Sequence, residues 1–198
     1  MKKYEKIAYQ QNYQLIGGLD EVGRGCIGGP LVCALVILPV DYDNKEINDS
    51  KLLSAKKRQE LAQEIINVAI DYNIQVISPQ VVDQINPKNA SKEGMLKCIE
   101  AIKTKPDYCL IDFEKLDIAI PNSSITKGDQ QSISIAAASI MAKVYRDNMM
   151  VELGKQYPNY GFEKHKGYLT KFHWEALDKY GPLPGIHRFS YRPLKKDK

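Results

Sequence analysis

The sequence has no apolar run long enough to cross a bilayer. Its longest run, residues 31–38, is far shorter than the ~20 apolar residues that a membrane helix needs. The polar, lysine-bearing start of the chain also lacks the apolar core of a signal peptide. We therefore expect a protein without membrane attachment, located in the cytoplasm.

Cysteine and histidine are scarce, with four and three residues respectively. None of the cysteines stands in a CxxC pair or in the Cys/His spacing of a zinc site, which argues against structural zinc. Cys33, Cys98 and Cys109 have apolar neighbours, so we expect them to be small core residues. Reduced thiols of this kind fit the cytoplasm.

The chain also lacks repeats, low-complexity linkers and a strong excess of one charge. Its 198 residues are 43% hydrophobic and 26% charged, the composition of a soluble globular protein. The formal net charge is +4, and the basic excess gathers near the C-terminus. That asymmetry fits a polyanionic partner, and it fits a solvated tail about equally well.

Strand-like and helix-like patterns alternate along the chain. Residues 15–20 and 31–38 are predicted strands, and their short connection indicates antiparallel pairing. Ser54 is a suitable N-cap for a following helix. The alternation predicts an α/β fold, with a mixed central sheet flanked by helices. The other predicted elements are strands at 74–77 and 108–112 and helices at 4–13, from 78, at 89–102, at 133–150 and at 170–177.

The most informative motif is residues 20–25, Asp-Glu-Val-Gly-Arg-Gly. Neighbouring side chains on a regular strand point to opposite faces, so Asp20 and Glu21 reach one site only if the strand ends or bulges there. Gly23 and Gly25 give the backbone that freedom and let it approach a ligand closely. Arg24 supplies a fixed positive charge that suits a phosphate. The motif therefore indicates a metal next to a phosphate.

Two further acids stand where predicted elements meet. Asp112 ends the strand at 108–112, and Asp129 precedes the alanine-rich helix at 133–150. If they converge with Asp20 and Glu21, the four form an oxygen-only cluster, which suits Mg²⁺ or Mn²⁺ rather than zinc. Taken singly, each acid is more often a surface carboxylate or a helix cap, and Asp129 could simply cap the following helix. Spacing alone leaves these alternatives open.

A series of longer motifs resembles those of ribonuclease HII, the prokaryotic type 2 ribonuclease H. The resemblance extends over nearly the whole chain, and several motifs in order are far more specific than any one of them. The segments that carry it are residues 18–25, 28–30, 49–54, 111–112, 128–129, 135–147, 157–158 and 165–168, the last reading His-Lys-Gly-Tyr.

The resemblance implies a ribonuclease H-like fold and an enzyme that hydrolyses the RNA strand of RNA–DNA hybrids. It also implies nicking of duplex DNA 5′ of an embedded ribonucleotide, with 5′-phosphate and 3′-hydroxyl products, and hence removal of misincorporated ribonucleotides. Two divalent metal ions bound close together can activate water, neutralise the phosphate and stabilise the leaving 3′ oxygen. We expect Asp20 to bridge them, and the acids to be partly protonated without metal because they repel one another. By resemblance the two ions, Mn²⁺ or Mg²⁺, are held by Asp20, Glu21, Asp112 and Asp129.

The resemblance also implies how substrate is recognised. The backbone of Gly23, Arg24 and Gly25 would contact the 2′-hydroxyl and phosphates of the ribonucleotide, although the turn taken alone is more simply an ordinary tight turn. Tyr168 would stack on the deoxyribose that follows the ribonucleotide, whereas a tyrosine in such a segment is otherwise a packing residue. Leu169 departs from the family pattern, in which glycine commonly follows this tyrosine, and the change could alter the local turn.

Four cations are candidates for phosphate contacts, because lysine and arginine supply the salt-sensitive part of duplex binding. Lys143 and Asp147 are one helical turn apart and could instead pair with each other. The four candidates are Lys51, Lys143, Lys166 and Arg188.

The remaining ring side chains are expected to be structural. With two metals no histidine is needed as a proton carrier, so His165, His173 and His187 are expected to bind phosphate or to support the fold. Trp174 is expected in the core.

We expect a catalytic domain over residues 1–156 and a small helical, substrate-binding C-terminal segment over residues 157–198, packed on the same domain. The expected partners are RNA–DNA hybrid and ribonucleotide-containing duplex DNA, bound by a monomer. The short segment before Asp20 and the aspartate at 129 fit ribonuclease HII better than ribonuclease HIII, which has a longer N-terminal domain and a glutamate as its fourth acid.

Two other classes of protein remain open. One is a nuclease of the same broad fold that is blind to ribose, since fold alone does not fix the substrate. The glycine-flanked Arg24 and Tyr168 argue against it, because a ribose-blind enzyme needs neither. The other is a nucleic-acid-binding module without catalysis, and the four acids argue against it because without metal they would repel phosphate.

Overall fold

The computed structural model describes residues 1–195 of the chain. The strands are β1 (Ile16–Val22), β2 (Leu31–Ile37), β3 (Asp71–Ile77), β4 (Tyr108–Asp112) and β5 (Asn122–Ile125). They form one sheet in the order β3-β2-β1-β4-β5. β2 is antiparallel to β1 and β3, whereas β4 is parallel to β1 and β5. The predicted mixed sheet is therefore confirmed.

Helices cover both faces of this sheet. They are α1 (Lys3–Gln10), α2 (Ala55–Val68), α3 (Pro79–Ala101), α4 (Ile133–Gln156), α5 (Phe162–His165) and α6 (Lys171–Tyr180). Residues of α3 pack with Cys33 and Leu35 on one face, and residues of α2 and α4 pack with Val32 and Ala34 on the other. Because both its faces are covered, β2 is buried throughout, which explains its continuous apolar run.

A glycine brings α4 against β1. A Cβ at Gly18 would lie 2.1 Å from the backbone carbon of Ser134, near the start of α4. Only glycine permits this approach, which places the first turns of α4 beside Asp20 on the same strand. The close packing of helix and strand thus positions the site described below.

The structure extends or corrects several predicted elements. β1 runs on to Val22 instead of ending at Asp20, and α4 continues to Gln156. The region after Ser78 consists of two helices joined at a sharp kink, where Asn86 has a non-helical φ of 66° just before Pro87, in agreement with the two helices predicted there. β5 was missed, because its sequence, Asn-Ser-Ser-Ile, is polar and short. Ser54 is the N-cap of α2, as predicted.

The C-terminal segment packs on the end of α4. Phe162, Ala176 and Leu177 form a buried cluster with Met150 of α4 and Ile27 of the loop after β1. The prediction for Trp174 is wrong: its side chain is 46% exposed, because it lies on the outer face of α6. The last three residues of the predicted segment 157–198 lie outside the described residues.

The predicted core cysteines are confirmed, since Cys33, Cys98 and Cys109 are all fully buried. None of the helices within residues 1–195 is long and apolar enough to cross a membrane.

Candidate active site

The acidic residues converge where β1 and β4 stop pairing. The parallel register of these strands ends at Leu19↔Ile111. Beyond that point a cleft opens along the edge of β1, lined by Asp20, Glu21 and the last residue of β4, Asp112. Glu21 and Asp112 also line the adjoining part of the cleft together with Asp129, which lies in the short 3₁₀ turn Gly128–Gln130. The four predicted acids therefore lie around one cleft.

Asp20 and Glu21 reach this cleft without a break in the strand. Their partners on β2 are Ala34 and Cys33, which belong to the α4 face and the α3 face of the sheet respectively. The expectation that the strand must end or bulge at this point is therefore wrong. The two carboxylates share the cleft from opposite faces because the edge of β1 that faces β4 is open there.

Asp20 is the most enclosed of the four acids. Its Oδ1 accepts a hydrogen bond of 2.7 Å from the backbone N–H of Glu21, and Ser139 of α4, whose hydroxyl lies 3.1 Å from that of Ser50, lines the cleft beside it. Burial raises its pKa well above the ordinary value, and the charges of Glu21 and Asp112 add to this shift. A carboxylate in this state is poised to exchange a proton for a metal ion.

Burial also raises the pKa of Glu21, to about 7. Arg24 opposes the shift, while Asp112 and Glu114 add to it. Glu21 Oε1 lies 3.4 Å from Arg24 Nη1. Its Oε2 is buried and has no hydrogen-bond partner among residues 1–195. An orphaned carboxylate oxygen facing an acidic cleft calls for a cationic ligand.

Asp112 and Asp129 complete the acidic set. Asp112 Oδ1 accepts a hydrogen bond of 2.6 Å from the N–H of Gly128, which ties β4 to the turn that carries Asp129. Burial raises the pKa values of both carboxyls. The side chain of Ser132, and not Asp129, caps α4. The structure thus removes the capping explanation for Asp129.

The donor set fits a hard divalent cation. It consists of carboxylate oxygens, and burial and mutual repulsion disfavour their charged forms until a cation is present. No three acidic, histidine or cysteine side chains within residues 1–195 stand close enough to hold an ion as they are. Binding therefore requires the carboxylates to rotate toward one another, and the orphaned oxygen of Glu21 leaves that carboxylate free to do so.

The glycine-flanked turn forms one wall of the cleft. Gly23 has φ of 96°, and a Cβ there would overlap the side chain of Arg146. A Cβ at Gly25, in contrast, would meet nothing within 4 Å. The N–H of Cys26 closes the turn by donating to the carbonyl of Gly23. The first glycine is required by packing, whereas the second leaves space for a ligand.

Glu114 is a site residue that sequence reasoning missed. It is buried, and its carboxylate pairs with the guanidinium of Arg24, which also faces Glu21. The only sequence signal is a second acid two positions beyond Asp112, which could equally have been a surface residue. Arg24 is therefore held between two carboxylates and does not project freely into the cleft.

The four candidate cations lie in different surroundings. Lys51 and Lys143 line the cleft, and the Nζ of Lys51 is 3.8 Å from Asp129 Oδ2. Lys143 also forms an ion pair with Asp147 at 2.8 Å, which is the pairing that the sequence had left open as an alternative to a phosphate contact. Lys166 lies outside the cleft lining, and its ammonium donates to the carbonyl of Glu163.

Arg188 does not fit the predicted phosphate contact, and that prediction is wrong. Its side chain is fully buried. Its guanidinium donates to the carbonyls of Gly29 and Arg24, so it cannot reach a phosphate in solvent. A basic C-terminal sequence does not distinguish a solvated cation from one that supports a loop.

Tyr168 is half-exposed and lines the cleft beside the glycine-flanked turn. The preceding residue, Gly167, accepts a hydrogen bond of 3.1 Å from the N–H of Gly28, which ties this loop to the loop after β1. The backbone carbonyl of Tyr168 interacts with Nδ1 of His173 at 2.9 Å. Because His173 and His187 are buried and 3.0 Å apart, they support this loop rather than carry protons to the cleft.

Solved structures share this architecture. Ribonuclease H2 from Pyrococcus horikoshii OT3 superposes with a TM-score of 0.78 at 24% identity, covering 90% of this chain and 94% of that one. The ribonuclease HII of Archaeoglobus fulgidus, solved in complex with PCNA, gives 0.77 at 26% identity, with coverages of 92% and 98%. Bst-RNase HIII in complex with Mn²⁺ gives 0.70 at 20% identity, with coverages of 95% and 70%. The fold is thus that of the type 2 ribonuclease H structures.

Fold and acidic cleft together define a metal-dependent endoribonuclease of the ribonuclease H class. Sequence comparison is more specific. The family model described as Ribonuclease HII fits residues 17–193. Proteins named Ribonuclease HII from Bacillus cytotoxicus and Bacillus cereus (strain AH820) are each 50% identical over 195 residues, which is 98% of this chain and 75% and 76% of theirs. The chain belongs to the ribonuclease HII family, whose members cleave the RNA strand of RNA–DNA hybrids.

Proposed function

We propose that the enzyme nicks duplex DNA on the 5′ side of an embedded ribonucleotide, with two divalent ions, leaving 5′-phosphate and 3′-hydroxyl ends. This activity would remove misincorporated ribonucleotides from DNA. The supporting observation is that the buried acids share one cleft with the glycine-flanked turn and with Tyr168. The means to hydrolyse a phosphodiester and the means to sense a ribose thus lie side by side.

The proposed metal ligands are Asp20, Glu21, Asp112 and Asp129. Two Mn²⁺ or Mg²⁺ ions would supply an activated water and stabilise charge on the phosphate and on the leaving 3′ oxygen. Asp20 is the proposed shared ligand, because its carboxylate experiences the charges of both Glu21 and Asp112. The N–H of Glu21 holds it in place.

The backbone of the glycine-flanked turn is the proposed reader of the 2′-hydroxyl. The turn is closed by the bond from Cys26 N–H to Gly23 carbonyl, so the intervening N–H groups of Arg24 and Gly25 are not used by the turn itself. The carbonyl of Arg24 is fixed from behind by Arg188 and Tyr191. With open space at Gly25, a ribose can approach a rigid stretch of main chain.

Lys51 and Lys143 are the proposed phosphate contacts in the cleft, and Lys166 is a more peripheral one. The side chain of Lys51 is 81% exposed beside Asp129, so it can follow a bound backbone without losing its solvent contact. Such contacts position the duplex without reading its sequence. We further propose that the segment from residue 157 onward serves substrate binding and that the enzyme acts as a cytoplasmic monomer.

Substrate cleavage tests the proposal directly. A DNA duplex with one embedded ribonucleotide is incubated with the enzyme, with and without Mg²⁺ or Mn²⁺, beside an all-DNA duplex. We expect metal-dependent cleavage of the first duplex alone, on the 5′ side of the ribonucleotide. Cleavage of both duplexes would identify a ribose-blind nuclease, and cleavage of neither would leave hybrid hydrolysis as the activity. Asp20→Asn should remove the cleavage from a folded protein, and near-normal turnover by this variant would refute the metal assignment.

Tyr168 is the proposed second reader, stacking on the sugar that follows the ribonucleotide. Tyr168→Ala should lower cleavage of a single-ribonucleotide duplex by about tenfold or more, in line with the loss of one stacking contact. Tyr72→Ala is a matched control, because Tyr72 is an exposed tyrosine on β3, at the sheet edge remote from the cleft and outside the proposed substrate-binding segment. Equal activities of the Tyr168 variant and the parent would refute the role.

A further inference from the structure

Phe113 directly follows Asp112 and places an apolar ring at the rim of the cleft. Its side chain is 58% exposed, more than those of most large hydrophobic residues of the described chain. It lines the part of the cleft that also holds Asp112 and Asp129. A phenyl ring in that position faces water on most of its surface, so burial in the core does not explain it.

The backbone at Phe113 has an unfavourable conformation. Its φ is 57°, in the left-handed region that bulky residues rarely adopt. The N–H of Glu114 donates to the carbonyl of Asp112 at 2.6 Å, the hydrogen bond of a γ-turn centred on Phe113. This turn directs Glu114 inward to Arg24. Glycine would meet that need without steric cost, so the turn explains the backbone and leaves the ring unexplained.

The backbone that carries the ring is held in place by hydrogen bonds. The N–H of Phe113 donates to the carbonyl of Ile125 at 3.0 Å, and the hydroxyl of Ser124 donates to the carbonyl of Phe113 at 2.8 Å. Both backbone groups of this residue are thus held by β5. A ring held in this way loses little conformational entropy when a ligand stacks on it.

Phe113 and Tyr168 lie on different sides of the catalytic acids. Phe113 follows β4 and is tied to β5, whereas the loop of Tyr168 is bound to the loop between β1 and β2, where the N–H of Gly28 donates to the carbonyl of Gly167. In the sheet order β2-β1-β4-β5, the two rings therefore flank Asp20 and Asp112. We call the two ends of the cleft the Phe113 arm, which also contains Thr126 and Lys127, and the Tyr168 arm, which also contains Gly25 and Lys143.

The charges of the Phe113 arm suit a nucleic-acid strand. Lys127 lines this arm together with Phe113, and Lys51 and Arg24 line both arms beside the acids. An exposed aromatic among cations is the combination that proteins use to bind single nucleotides of a strand, because every base has a face for stacking and every linkage has a charge.

We propose that Phe113 is a substrate-binding residue, on which a base or sugar of the bound strand stacks in the arm opposite to Tyr168. The inference deepens the function proposed above and rests on the acids of the cleft being the site of hydrolysis. A strand that crosses the acids then meets one aromatic ring on each side, which fixes the scissile phosphate between two stacking contacts.

Four variants test the role of the ring, with cleavage of an RNA–DNA hybrid and hybrid binding by fluorescence anisotropy as readouts. Phe113→Ala and Phe113→Gly should raise KM and Kd by about 5- to 10-fold, the effect of losing one partly exposed stacking contact. Phe113→Tyr and Phe113→Trp should stay within about twofold of the parent. Phe113→Gly should also have a Tm at or above that of the parent, because glycine relieves the left-handed φ. A variant that is more stable yet binds worse has lost a ligand contact rather than a structural one.

Tyr72→Ala is the control, because Tyr72 is an exposed aromatic on β3, at the sheet edge remote from the cleft. It should leave KM and Kd unchanged. Parent-like values for both Phe113→Ala and Phe113→Gly would overturn the proposal. So would an equal loss in Phe113→Tyr and Phe113→Trp, because that result would assign the effect to the turn and not to the ring.

Shortened RNA–DNA hybrids test whether Phe113 and Tyr168 contact the substrate in opposite arms of the cleft. Removing nucleotides on one side of the cleavage site should abolish the effect of Phe113→Ala, and removing them on the other side should abolish the effect of Tyr168→Ala. Loss of both effects with the same truncation would overturn the placement. Because these assays use hybrid, a failure to nick an embedded ribonucleotide would refute the function proposed above without changing the result for Phe113.

Discussion

Two buried charged regions of the molecule differ in how their charges are compensated. The acidic cleft holds carboxyls whose pKa values are raised by burial, and one oxygen of Glu21 has no partner among residues 1–195. The second region, which we call the bracing cluster, is hydrogen-bonded throughout. It consists of Arg146, Arg188, His173 and His187. The protein therefore leaves carboxylate charge uncompensated in the cleft, whereas it satisfies the polar groups of the bracing cluster with its own backbone and side chains.

The arginines of the bracing cluster tie the recognition loops together. Arg146 donates to the carbonyls of Pro30 at 2.8 Å, Lys166 at 2.8 Å and Gly28 at 3.1 Å. Arg188 donates to Gly29 and to Arg24. The glycine-flanked turn and the loop of Tyr168 are therefore fixed to one another through buried cations. A site that reads a single hydroxyl needs this rigidity, since a small displacement would lose the discrimination.

The histidines of the bracing cluster form a chain with defined tautomers. Nδ1 of His187 accepts from the N–H of Leu183, so its Nε2 carries the proton and donates to Nε2 of His173. Nδ1 of His173 then carries a proton and donates to the carbonyl of Tyr168. Each ring is neutral and fully used in this arrangement, which supports the backbone of Tyr168.

The largest expected effect comes from removing a charge from the cleft. Asp112→Asn should lower hybrid cleavage by at least about a thousandfold, because it removes a proposed metal ligand. Its Tm should be unchanged or higher, since the substitution also relieves burial of a charged group and repulsion from Asp129. Cleavage rates and thermal unfolding in EDTA measure the two effects, with the exposed Asp41→Asn as control. A clear fall in Tm would contradict the view that the metal-free cleft is destabilising.

Arg146→Met should have the next largest effect, and in contrast to Asp112→Asn it should lower the stability of the protein. The substitution leaves three backbone carbonyls without their donor, and each buried acceptor left unsatisfied costs about 1–3 kcal/mol. We expect a loss of about 3 kcal/mol or more in the free energy of unfolding, measured by urea denaturation. The exposed Arg192→Met should cost little. A variant as stable as the parent would show that the bracing cluster does not carry the stability we assign to it.

The sequence predicted the acidic cleft better than the bracing cluster, for a physical reason. Asp20 and Glu21 belong to the short motif Asp-Glu-Val-Gly-Arg-Gly, Asp112 ends β4 and Asp129 lies in the turn before α4, so each stands in a local pattern that the sequence shows. Arg146 and Arg188 donate to carbonyls more than 100 residues away in the chain. Nothing local distinguishes such a buried arginine from a surface one, which is why Arg188 was predicted to contact phosphate. Glu114 was missed for the same reason, since its partner Arg24 lies 90 positions away.

The smallest expected effect is a difference in the pH dependence of stability. Burial lowers the pKa values of His173 and His187 from 6.5 to about 4. In the unfolded chain these rings take up protons near pH 6.5, so their contribution to stability is present above that pH and is lost as the pH falls toward 4. Glu21 has the opposite sign: its pKa rises from 4.5 to about 7, so its contribution is lost as the pH rises through that interval.

Two variants separate these opposing contributions. His173→Asn keeps an N–H donor where Nδ1 was but cannot be protonated, so it should reduce the loss of stability between pH 6.5 and 4.5 by up to about 1.4 kcal/mol per pH unit. Glu21→Gln should reduce the loss between pH 4.5 and 7, and a given concentration of Mn²⁺ should stabilise that variant less than the parent. Urea denaturation across pH 4.5–7.5 measures both slopes. The sign of each slope of unfolding free energy against pH follows from whether burial raised or lowered the pKa. If the two variants changed this slope in the same direction, the cleft and the bracing cluster would therefore not differ in charge compensation as we infer.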